Sequence, residues 1–596
     1  MAIKILEVNI NRFDGGIADD TLQALSNEFA LTKHLDIFTK KNRLIPYRAM
    51  EAEAGTLGVY AIKSVAVLTD SAAAQNIYAL GNKSGDTFPQ FLEKTVSMIT
   101  GTFAPSTTAV GAVGTVVASS LVAYKTKLYC LNLDTTIKLV SYDPQSNTYT
   151  AEVGSTAVTT TDSIYPRMFR HPQDDILYIG VGNQISSWNN TTFTAAALTL
   201  PSDMVITSLT DYGVYLAIAC APKDQGKKSY VFLWGRDTSL TTVQEVVDFG
   251  EGALMILENV GGTLVGVSAS ARPGASVVFD IAPKVIFREY TGGLARPFKE
   301  LRWSSTGAST LKLLNLKEKN QDKLYFPLKI YTEGQTLYQL WVVGKNASGR
   351  LVVTADRLIN NDTALTGDVD GFNMIGDYAW AMFNGDGSIS RTNDAATYTN
   401  ATAVYDSAIF NNGDSLKDNH LIGVSVMTEA MPSAGQIDCY YRKNEETSYT
   451  RIFQNSVDNS FGHDAVNIEN LAAGEDVVTI SNATPAVVTL ATHKLVAGQS
   501  FKFSTSASGL PTGITEGKTY YVKSTGLTAN TFQFSAVAGT DGTAINTSSA
   551  GSGTHKLDRV VNLPDFKELQ FRVEIIGGAV VTGIRFKYQE LDKSKY

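Results

Sequence analysis

The sequence predicts an all-β protein whose largest part is a β-propeller, followed by a β-sandwich that carries an inserted small β domain. Three observations support this fold class. Similar strand-like runs recur at steps of roughly 40 to 60 residues, as propeller blades of about four strands do. The composition combines few charged residues (18%) with many aromatic residues (10%) and 49 glycines, which is typical of strands joined by tight turns. Alternating apolar and polar residues appear near the C-terminal end.

The stretch 175–190 defines the repeating unit of the predicted propeller. Leu177, Ile179 and Val181 occupy alternate positions, as in a half-buried strand, and Gly182-Asn183 suits the positive φ of a two-residue hairpin loop. Similar pieces are anchored at Ile77, Leu128, Leu177, Val214, Leu264, Leu324 and Tyr378. The recurrence predicts a propeller over residues 55–405 with about seven blades, six to eight being compatible with so degenerate a repeat.

The C-terminal part has a different pattern. Apolar residues alternate with polar ones over 422–427 and again over 569–576, which gives each strand one buried and one solvated face. These strands predict a β-sandwich made of 406–473 together with 559–596. The segment between them, 474–558, is richer in Thr, Ser, Ala and Gly and is predicted to be an inserted small β domain. Residues 1–54 do not resemble a blade and are predicted to form an arm on the outside of a larger body.

Charge and cysteine usage exclude several classes of protein. The net charge of −8 argues against a nucleic-acid binder that relies on counterion release. Cys130, Cys220 and Cys439 are far apart and odd in number, which favours buried free thiols over disulfides or a zinc site. The N-terminus has no signal-peptide pattern. These features weakly favour synthesis in a reducing compartment.

One uncharged stretch, residues 95–124, allows two interpretations. A membrane-inserting segment is the more specific one, and membrane contact stays a minor hypothesis. Pro105 and the many Thr, Ser and Gly residues make the stretch a poor spanning helix. They favour a buried strand pair of the propeller or a loop that faces another subunit.

No catalytic, cofactor-binding or metal-binding residue is predicted, and the chain is not expected to be an enzyme. The six histidines lack the spacing of zinc peptidases, and neither a nucleophile elbow nor a phosphate loop is present. Residues 368–371 and 384–387 are expected to be ordinary turns and not calcium loops. The pairs Asp19-Asp20 and Asp174-Asp175 are expected to be solvated caps. A composite carboxylate site assembled by the fold remains an open alternative.

Motifs at both ends of the chain resemble those of a known group of proteins. The N-terminal pieces are Gly15-Gly16-Ile17, the Phe-Ala-Leu and Asp-Ile-Phe runs within 28–38, and Leu-Ile-Pro-Tyr-Arg at 44–48. They resemble the N-terminal arms of bacteriophage virion proteins that carry propellers in the tail. The Tyr-Tyr-Arg, Tyr-Thr-Arg-Ile-Phe and Leu-Gln-Phe-Arg-Val pieces at 440–442, 449–453 and 569–573 resemble the C-terminal part of phage tail proteins.

The inserted segment carries the most specific resemblance. Its matching pieces are 492–503, 509–514, 519–523, 530–535 and 551–555. Together they closely resemble a small all-β module that recurs across phage tail and other virion proteins. In that module His493 and His555 are expected to stabilise turns.

The resemblance implies a structural protein of a bacteriophage tail, similar in organisation to the nozzle (tail tubular B) proteins of short-tailed phages. Such a protein is expected in the virion after synthesis in the host bacterial cytoplasm. Its expected partners are copies of itself in a ring, with a hexamer favoured, the tail tube or adaptor proteins, and fibres. Genomic DNA would pass without specific binding, and contact with the host envelope is a further expectation.

Two other functions remain as alternatives. The first is a tail-fibre protein, adhesin or adaptor that contacts host glycans or anchors fibres. Exposed Trp188, Trp234 or Trp380 on one propeller face would favour it, because sugars stack on such rings, although tryptophan is equally a blade-core residue. The second is a secreted or periplasmic hydrolase, against which the missing export signal and motifs count.

Overall fold

The structure is a computed structural model, and it contains only β-strands as regular elements in the residues that it describes. It forms two compact units, residues 48–396 and residues 1–47 with 397–596. The described residues are 5–18, 28–38, 42–48, 50–53, 60–69, 75–83, 89–94, 103–105, 115–116, 121–133, 137–156, 167–223, 228–237, 242–269, 284–302, 310–332, 335–359, 368–383, 389–392, 402–411, 418–429, 432, 435–444, 446–455, 465–467, 476–491, 493, 495, 497–498, 500–506, 509–537, 539–540, 542–559 and 565–591.

The N-terminal segment supplies five short strands. They are β1 (Ile5–Ile10), β2 (Phe29–Lys33), β3 (Leu35–Asp36), β4 (Ile45–Pro46) and β5 (Met50–Ala52). β3 and β4 pair with each other, whereas the other three join sheets formed by later parts of the chain.

The propeller begins with three antiparallel sheets. Blade 1 contains β6 (Tyr60–Thr69), β7 (Gln75–Lys83), β8 (Pro89–Lys94) and β9 (Ala104–Pro105). Blade 2 contains β10 (Thr115–Val116), β11 (Val122–Tyr124), β12 (Lys127–Leu133), β13 (Ile137–Asp143) and β14 (Thr148–Thr156), with β10 and β11 sharing the inner edge. Blade 3 contains β15 (Arg167–Arg170), β16 (Leu177–Val181), β17 (Gln184–Trp188) and β18 (Phe193–Thr199).

Four further sheets complete the propeller. Blade 4 contains β19 (Met204–Tyr212), β20 (Tyr215–Pro222), β21 (Lys228–Trp234) and β22 (Glu245–Glu251). Blade 5 contains β23 (Ala253–Val260), β24 (Thr263–Ala269), β25 (Lys284–Tyr290) and β26 (Arg296–Arg302). Blade 6 contains β27 (Thr310–Leu313), β28 (Glu318–Asn320), β29 (Lys323–Thr332), β30 (Gln335–Lys345) and β31 (Leu351–Leu358). Blade 7 contains β32 (Val369–Ile375), β33 (Tyr378–Phe383), β34 (Ile389–Thr392) and, as its outer strand, β5.

The architecture confirms the predicted propeller, and the described residues form seven blades. The seven anchor residues from the sequence lie in or next to the second strand of each blade, from β7 through β12, β16, β20, β24, β29 and β33. The anchors lie at this strand because it has a neighbour on both sides and is buried, so its apolar run is the longest and most regular in the blade. In the hairpin of blade 3, Val181 pairs with Gln184 and Gly182 has a φ of 57°, as expected for a two-residue loop.

Apolar cores lie between neighbouring blades. Between blades 3 and 4, Tyr178 and Ile185 pack with Ile218 and Trp234. Between blades 7 and 1, Trp380 packs with Ile77, and its ring meets that of Phe103 at 6.3 Å. Each blade therefore buries both of its faces against its neighbours, which stabilises the ring by removing apolar surface from water.

The ring closes through a strand that the sequence did not assign to it. β5 pairs with β34, with Glu51 opposite Arg391, and β32 of blade 7 contacts β6 of blade 1. The propeller therefore spans 48–396 and not the predicted 55–405, and Ala403–Ser407 lies outside it as β35. Periodicity could not reveal this boundary, because the closing strand is separated from its blade by the whole ring.

The sandwich consists of two facing sheets. Its remaining strands are β35 (Ala403–Ser407), β36 (Asn419–Thr428), β37 (Gln436–Lys443), β38 (Thr450–Asn455) and β39 (Ala465–Asn467), followed after the insertion by β47 (Asp565–Phe566), β48 (Leu569–Ile576) and β49 (Val581–Glu590). One sheet has the order β1-β49-β36-β39 with β47 beside β36, and the other has the order β2-β35-β48-β37-β38. The rings of Phe571 and Phe586 from the two sheets meet at 4.9 Å in the core.

The N-terminal segment is part of this sandwich and not an arm along its outside. β1 pairs with β49 over Ile5–Ile10, and β2 pairs with β35. Phe29 is fully buried, and Phe13 meets Tyr405 edge-to-face at 5.2 Å. The apolar residues that suggested a surface arm are therefore core residues of two sheets, which the chain completes only when its two ends meet.

The segment predicted to be an inserted domain forms a sheet of its own strands. It contains β40 (Asp476–Ile480), β41 (Val488–Thr489), β42 (Ser500–Thr505), β43 (Thr519–Val522), β44 (Thr531–Phe532), β45 (Phe534–Ser535) and β46 (His555–Arg559). β46 pairs with both β40 and β42, so the ends of the insertion lie together. Its core is a cluster of aromatic rings from Phe501, Phe503, Tyr520, Phe532 and Phe534.

Candidate functional site

Polar residues on the first strands of the blades connect one blade to the next around the propeller axis. Between blades 4 and 5, the Ser208 hydroxyl donates to the carbonyl oxygen of Leu257 at 3.1 Å, and the Thr210 hydroxyl donates to Glu258 at 2.6 Å. Between blades 7 and 1, Asn373 accepts from the backbone N–H of Val65 at 3.0 Å. The inner strands are thus joined by hydrogen bonds as well as by packing.

Lys317 and Glu258 form a buried ion pair at the junction of blades 4, 5 and 6. Lys317 Nζ donates to Glu258 Oε2 at 2.7 Å, to the Leu209 carbonyl oxygen at 2.8 Å and to the Leu257 carbonyl oxygen. Glu258 Oε1 accepts from Thr210 and from the Asn259 N–H at 3.0 Å. All three ammonium protons therefore have acceptors, which is the condition under which a buried pair is tolerated.

The next residue, Glu318, has far fewer partners. Asn373 Nδ2 donates to its Oε1 at 2.8 Å, and Asn373 Oδ1 is held in turn by the Val65 N–H and, at 3.2 Å, by the Ser64 hydroxyl. Burial, opposed only in part by the Asn373 hydrogen bond and by Lys317, raises the pKa of Glu318 to about 8. Near neutral pH this carboxyl group therefore retains its proton and is able to donate or release it.

Glu318 lines a cavity of about 560 Å³. The cavity has Asn373, Gln75 and Lys94 as further polar lining residues. Its apolar wall is made by Val65, Val67, Ile77, Leu121, Val122, Met374 and Ile375. The volume lies within the range of roughly 300–1,000 Å³ in which small ligands bind. An apolar wall with a few convergent polar groups is the usual character of such a site.

A second cluster of buried charges lies where the ring closes. Glu53, which directly follows β5, accepts from Lys94 of blade 1 through one carboxylate oxygen and from Arg391 of blade 7 through the other. The side chains of Glu53 and Lys94 are at most 1% exposed. Arg391 also contacts Glu51 at 3.1 Å. Lys94 Nζ lies 5.5 Å from the centre of the Trp380 ring, so the cation is stabilised by the aromatic face as well. We call Glu53, Lys94 and Arg391 the closure cluster.

The carboxylate pair Asp174-Asp175 is engaged in ion pairs on the turn between β15 and β16. Asp174 accepts from the Tyr178 hydroxyl at 2.8 Å and from Arg236, whereas Asp175 accepts from Arg170 at 2.5 Å and from Lys125. These carboxylates bind neighbouring blades and differ in that respect from the expected solvated caps. The pair Asp19-Asp20 lies outside the described residues.

His171, on the same turn, is fully buried and held in one orientation. Its Nε2 lies 3.3 Å from the Tyr215 carbonyl oxygen, which can only accept, so Nε2 carries the hydrogen. Nδ1 accepts from Arg236 at 3.0 Å. Burial, followed by the Arg236 charge, lowers the pKa of His171. The histidine is therefore neutral and connects blades 3 and 4.

The three tryptophans considered as sugar-stacking residues are buried. Trp234 and Trp380 are inaccessible to solvent, and Trp188 is 9% exposed. Each belongs to a core cluster between blades. Their rings are therefore structural, and the exposed tryptophan face that would have favoured an adhesin is not formed by them.

Residues 368–371 are not the expected turn, because Val369–Gly371 belong to β32, and their carboxylates form ion pairs with lysines. Asp368 accepts from Lys329 and the Tyr338 hydroxyl, and Asp370 accepts from Lys63. Residues 384–387, the other turn considered, lie outside the described residues. Within the described part of the chain, no three His, Cys, Asp or Glu side chains are grouped so that they could hold a metal ion.

The histidines and cysteines named from the sequence lie in surroundings that indicate structural roles. His493 Nδ1 accepts from the Leu495 N–H at 3.0 Å and His555 Nε2 contacts the Ala550 carbonyl oxygen at 3.0 Å, which agrees with the expected turn-stabilising role. The three cysteines are buried and free, and burial raises the pKa of Cys130 to about 12.

Of residues 95–124, the described parts contribute β9, β10 and β11 to blades 1 and 2. No helix long and apolar enough to span a membrane occurs among the described residues.

Sequence reasoning missed the residues of the cavity and of the closure cluster. Glu318 lies in a polar run, 315–323, that resembles an ordinary hairpin, and Asn373 and Glu53 carry no motif. A weak signal existed for Glu318 alone, because it is a carboxylate that begins a strand. Its partner Asn373 is 55 residues away, so only the closed ring brings the two side chains together.

The sequence matches no protein-family profile and no curated protein sequence. Among solved structures, the Neurospora crassa Pan2 WD40 domain matches at 10% identity and a TM-score of 0.34, over 59% of this chain and 95% of that one. BamB from Moraxella catarrhalis matches at 14% identity and a TM-score of 0.31, over 66% and 98%. The Pseudomonas aeruginosa periplasmic gluconolactonase PpgL matches at 12% identity and a TM-score of 0.35, over 58% and 91%.

Proposed function

We propose that this chain is a structural component of a bacteriophage tail, the subunit of the nozzle ring that closes the distal end of the tail channel. The observation that carries the proposal is the nested architecture. A propeller is inserted into a β-sandwich, and the sandwich contains a second insertion whose sequence resembles a module of virion proteins. Function in this proposal resides in mechanical integrity and in surfaces for assembly.

Strand pairing between distant parts of the chain supports a mechanical role. The first and last described strands pair over Ile5–Ile10, so the sandwich opens only if a strand is removed from a sheet. The propeller is closed by β5 and by the buried charges of the closure cluster. Both units therefore have their ends secured by non-local pairing, which suits a protein that must withstand internal pressure and genome passage.

In this proposal the subunits assemble as a closed ring, and cyclic symmetry supplies the channel. The net charge of −8 favours a channel wall that repels DNA phosphates, so that the genome passes without adhering. Loops at one end of the propeller would obstruct the channel before host contact. An assembled ring with a basic channel wall would contradict the electrostatic part of the proposal.

The location in the particle provides the test. Antibodies raised against the purified chain are bound to intact virions, detected with gold and imaged by negative-stain electron microscopy. Label confined to the distal tip of a short tail is expected. Label on thin projections or at the collar would replace the nozzle role with the fibre, adhesin or adaptor role. Absence of label from both intact and opened particles would overturn the assignment to a virion.

The mass of the assembled protein separates the nozzle from the fibre independently. Native mass spectrometry of the purified chain, or of complexes released from virions, is expected to show a ring with six copies. A trimer would favour a fibre, since fibres are usually three-fold. A chain that stays monomeric both in isolation and when released from particles would contradict a ring.

A further inference from the structure

The cavity beside Glu318 is lined largely by the inner strands of blades 1, 2, 6 and 7, and we call it the axial cavity. Its carboxyl group, that of Glu318, has no cationic partner in the part of the chain that the structure describes. Among the described residues, Asn373 is the one hydrogen-bond donor to the Glu318 carboxylate, and no lysine or arginine forms an ion pair with it. Lys317, its neighbour in sequence, is committed to Glu258 and to two carbonyl oxygens. Lys94, which also lines the cavity, is committed to Glu53. The charges around the cavity are therefore matched except for that of Glu318.

We propose that the axial cavity binds a primary ammonium group carried on an apolar stem, with Glu318 as its counter-ion. The geometry provides each part of such a site. Glu318 Oε1 is held by Asn373, which leaves Oε2 for an incoming donor, and Asn373 is itself fixed by the Val65 N–H. Val67, Ile77 and Ile375 supply an apolar wall for the stem. A primary ammonium group brings three donors and the missing positive charge together.

The chemistry favours a cation over a neutral or anionic ligand. Glu318 is partly buried, and a desolvated carboxylate without a counter-ion is costly, so a ligand that supplies one recovers part of that cost. An anion would meet Glu318 and Glu258 in the same region, and a purely apolar ligand would leave the carboxyl group uncompensated. The raised pKa of Glu318 is consistent with this, because the carboxyl group lacks the compensation that the ligand would bring.

The ammonium group has two possible sources, a free alkylamine and a lysine side chain of a polypeptide. Both share the same chemistry at Glu318 and differ in what lies beyond the stem. Two probes distinguish them: n-hexylammonium for the free amine, and Nα-acetyl-lysine-methylamide for a lysine within a chain. n-Hexanol serves as the stem without the charge. The proposal does not depend on the tail role suggested above.

The test is isothermal titration calorimetry of the full-length protein with the three probes at pH 6, 7, 8 and 9. At least one ammonium probe is expected to bind at least tenfold more tightly than hexanol at pH 9. Its affinity should rise about tenfold per pH unit below pH 8 and level off above, because the carboxyl group of Glu318 must lose its proton while the amine stays charged. The other charged groups near Glu318 and its cavity are Lys317, Glu258, Lys94 and Glu53.

Two variants make the outcome decisive. Glu318→Gln keeps the shape and the Asn373 contact and should abolish both the preference for ammonium and its pH dependence. Glu251→Gln, at the exposed end of β22, serves as the matched control and should change neither. Tryptophan fluorescence and melting temperature verify that each variant is folded. Equal affinity for hexanol and both ammonium probes, or unchanged ammonium binding in Glu318→Gln, would overturn the proposal.

The two ammonium probes also identify the source. Tighter binding of hexylammonium would assign the site to a free amine, and tighter binding of the lysine amide would assign it to a polypeptide side chain. Either result supports the ammonium site. Binding of neither probe at any of the four pH values would overturn it.

Discussion

The propeller contains two carboxylates that differ in their partners, Glu53 with a buried side chain and Glu318, which is partly buried. Glu53, at the closure of the ring, has a cation on each of its two oxygens, whereas Glu318, near the axis, has one neutral amide. Both lie on or next to short strands between blades 6, 7 and 1. The difference teaches that burial alone does not define a function. A fully paired charge fixes the structure, and an unpaired one beside a cavity is available to a ligand.

Removal of the paired carboxylate is expected to have the largest effect. Glu53→Gln leaves Lys94 buried without a counter-ion and Arg391 with Glu51 alone, which should lower the free energy of unfolding of the propeller by about 3–5 kcal/mol. All five tryptophans of the chain lie within residues 48–396, so denaturation followed by tryptophan fluorescence reports on the propeller.

A neighbouring residue provides the control for this experiment. Glu51→Gln removes a carboxylate that is 37% exposed and should cost less than about 1 kcal/mol. Equal denaturation midpoints for the Glu53 and Glu51 variants would show that the closure cluster does not hold the ring together.

The carboxyl group of Glu318 should make the stability of the propeller depend on pH. The pKa of Glu318 is raised to about 8, so the folded protein retains a proton that the unfolded chain loses near pH 4.5. Between these values stability therefore falls as pH rises, by at most about 1.4 kcal/mol per pH unit from this group, and it is level outside them. The difference between wild type and Glu318→Gln isolates this contribution, since all other titrating groups are common to both.

Denaturation at pH 5, 6, 7 and 8 measures the effect. Glu318→Gln should be less stable or equal at pH 5 relative to wild type and should gain relative stability as the pH rises to 8. A constant difference between the two proteins across this range would mean that Glu318 titrates as an ordinary carboxyl group and is not desolvated.

The sandwich offers a charged pair of intermediate exposure and the smallest expected effect. Arg572 binds Asp406 through two hydrogen bonds of 2.7 and 2.8 Å, and its guanidinium lies 4.1 Å from the centre of the Tyr449 ring. Arg572→Lys keeps the charge but loses the paired guanidinium hydrogen bonds to Asp406 and the stacking on Tyr449. The free energy of unfolding of the sandwich is therefore expected to fall by about 1 kcal/mol.

Hydrogen exchange of β35 and β48 measures this loss within the sandwich itself. Arg585→Lys, on β49, changes a partly exposed arginine that approaches Glu7 only to 4.0 Å and serves as the control. Faster exchange in the Arg572 variant alone is expected. Identical exchange in both variants would show that the planar fork contributes nothing beyond its charge.

Much of the fold was determined by the sequence through local pattern. The seven anchors found by alternation lie at the second strands of seven blades, because a strand with neighbours on both sides needs a regular apolar run. The insertion was placed at 474–558, and its strands run from Asp476 to Arg559. For Trp234 and Trp380 the sequence left an exposed face and a blade core as alternatives, and the structure buries both rings.

Features that depend on contacts between distant parts of the chain were decided by the tertiary structure alone. β5 belongs to blade 7 and β1 to the sandwich, although both precede the blades in the sequence, because a ring and a split sandwich can each be completed only by a strand from the far side of the chain. The candidate site has the same origin. Glu318 and Asn373 have no shared motif, and Glu53 and Arg391 are 338 residues apart. Local periodicity determines which residues are buried, whereas the closed ring determines whether a carboxylate meets a charged partner, as Glu53 does, or a neutral one, as Glu318 does.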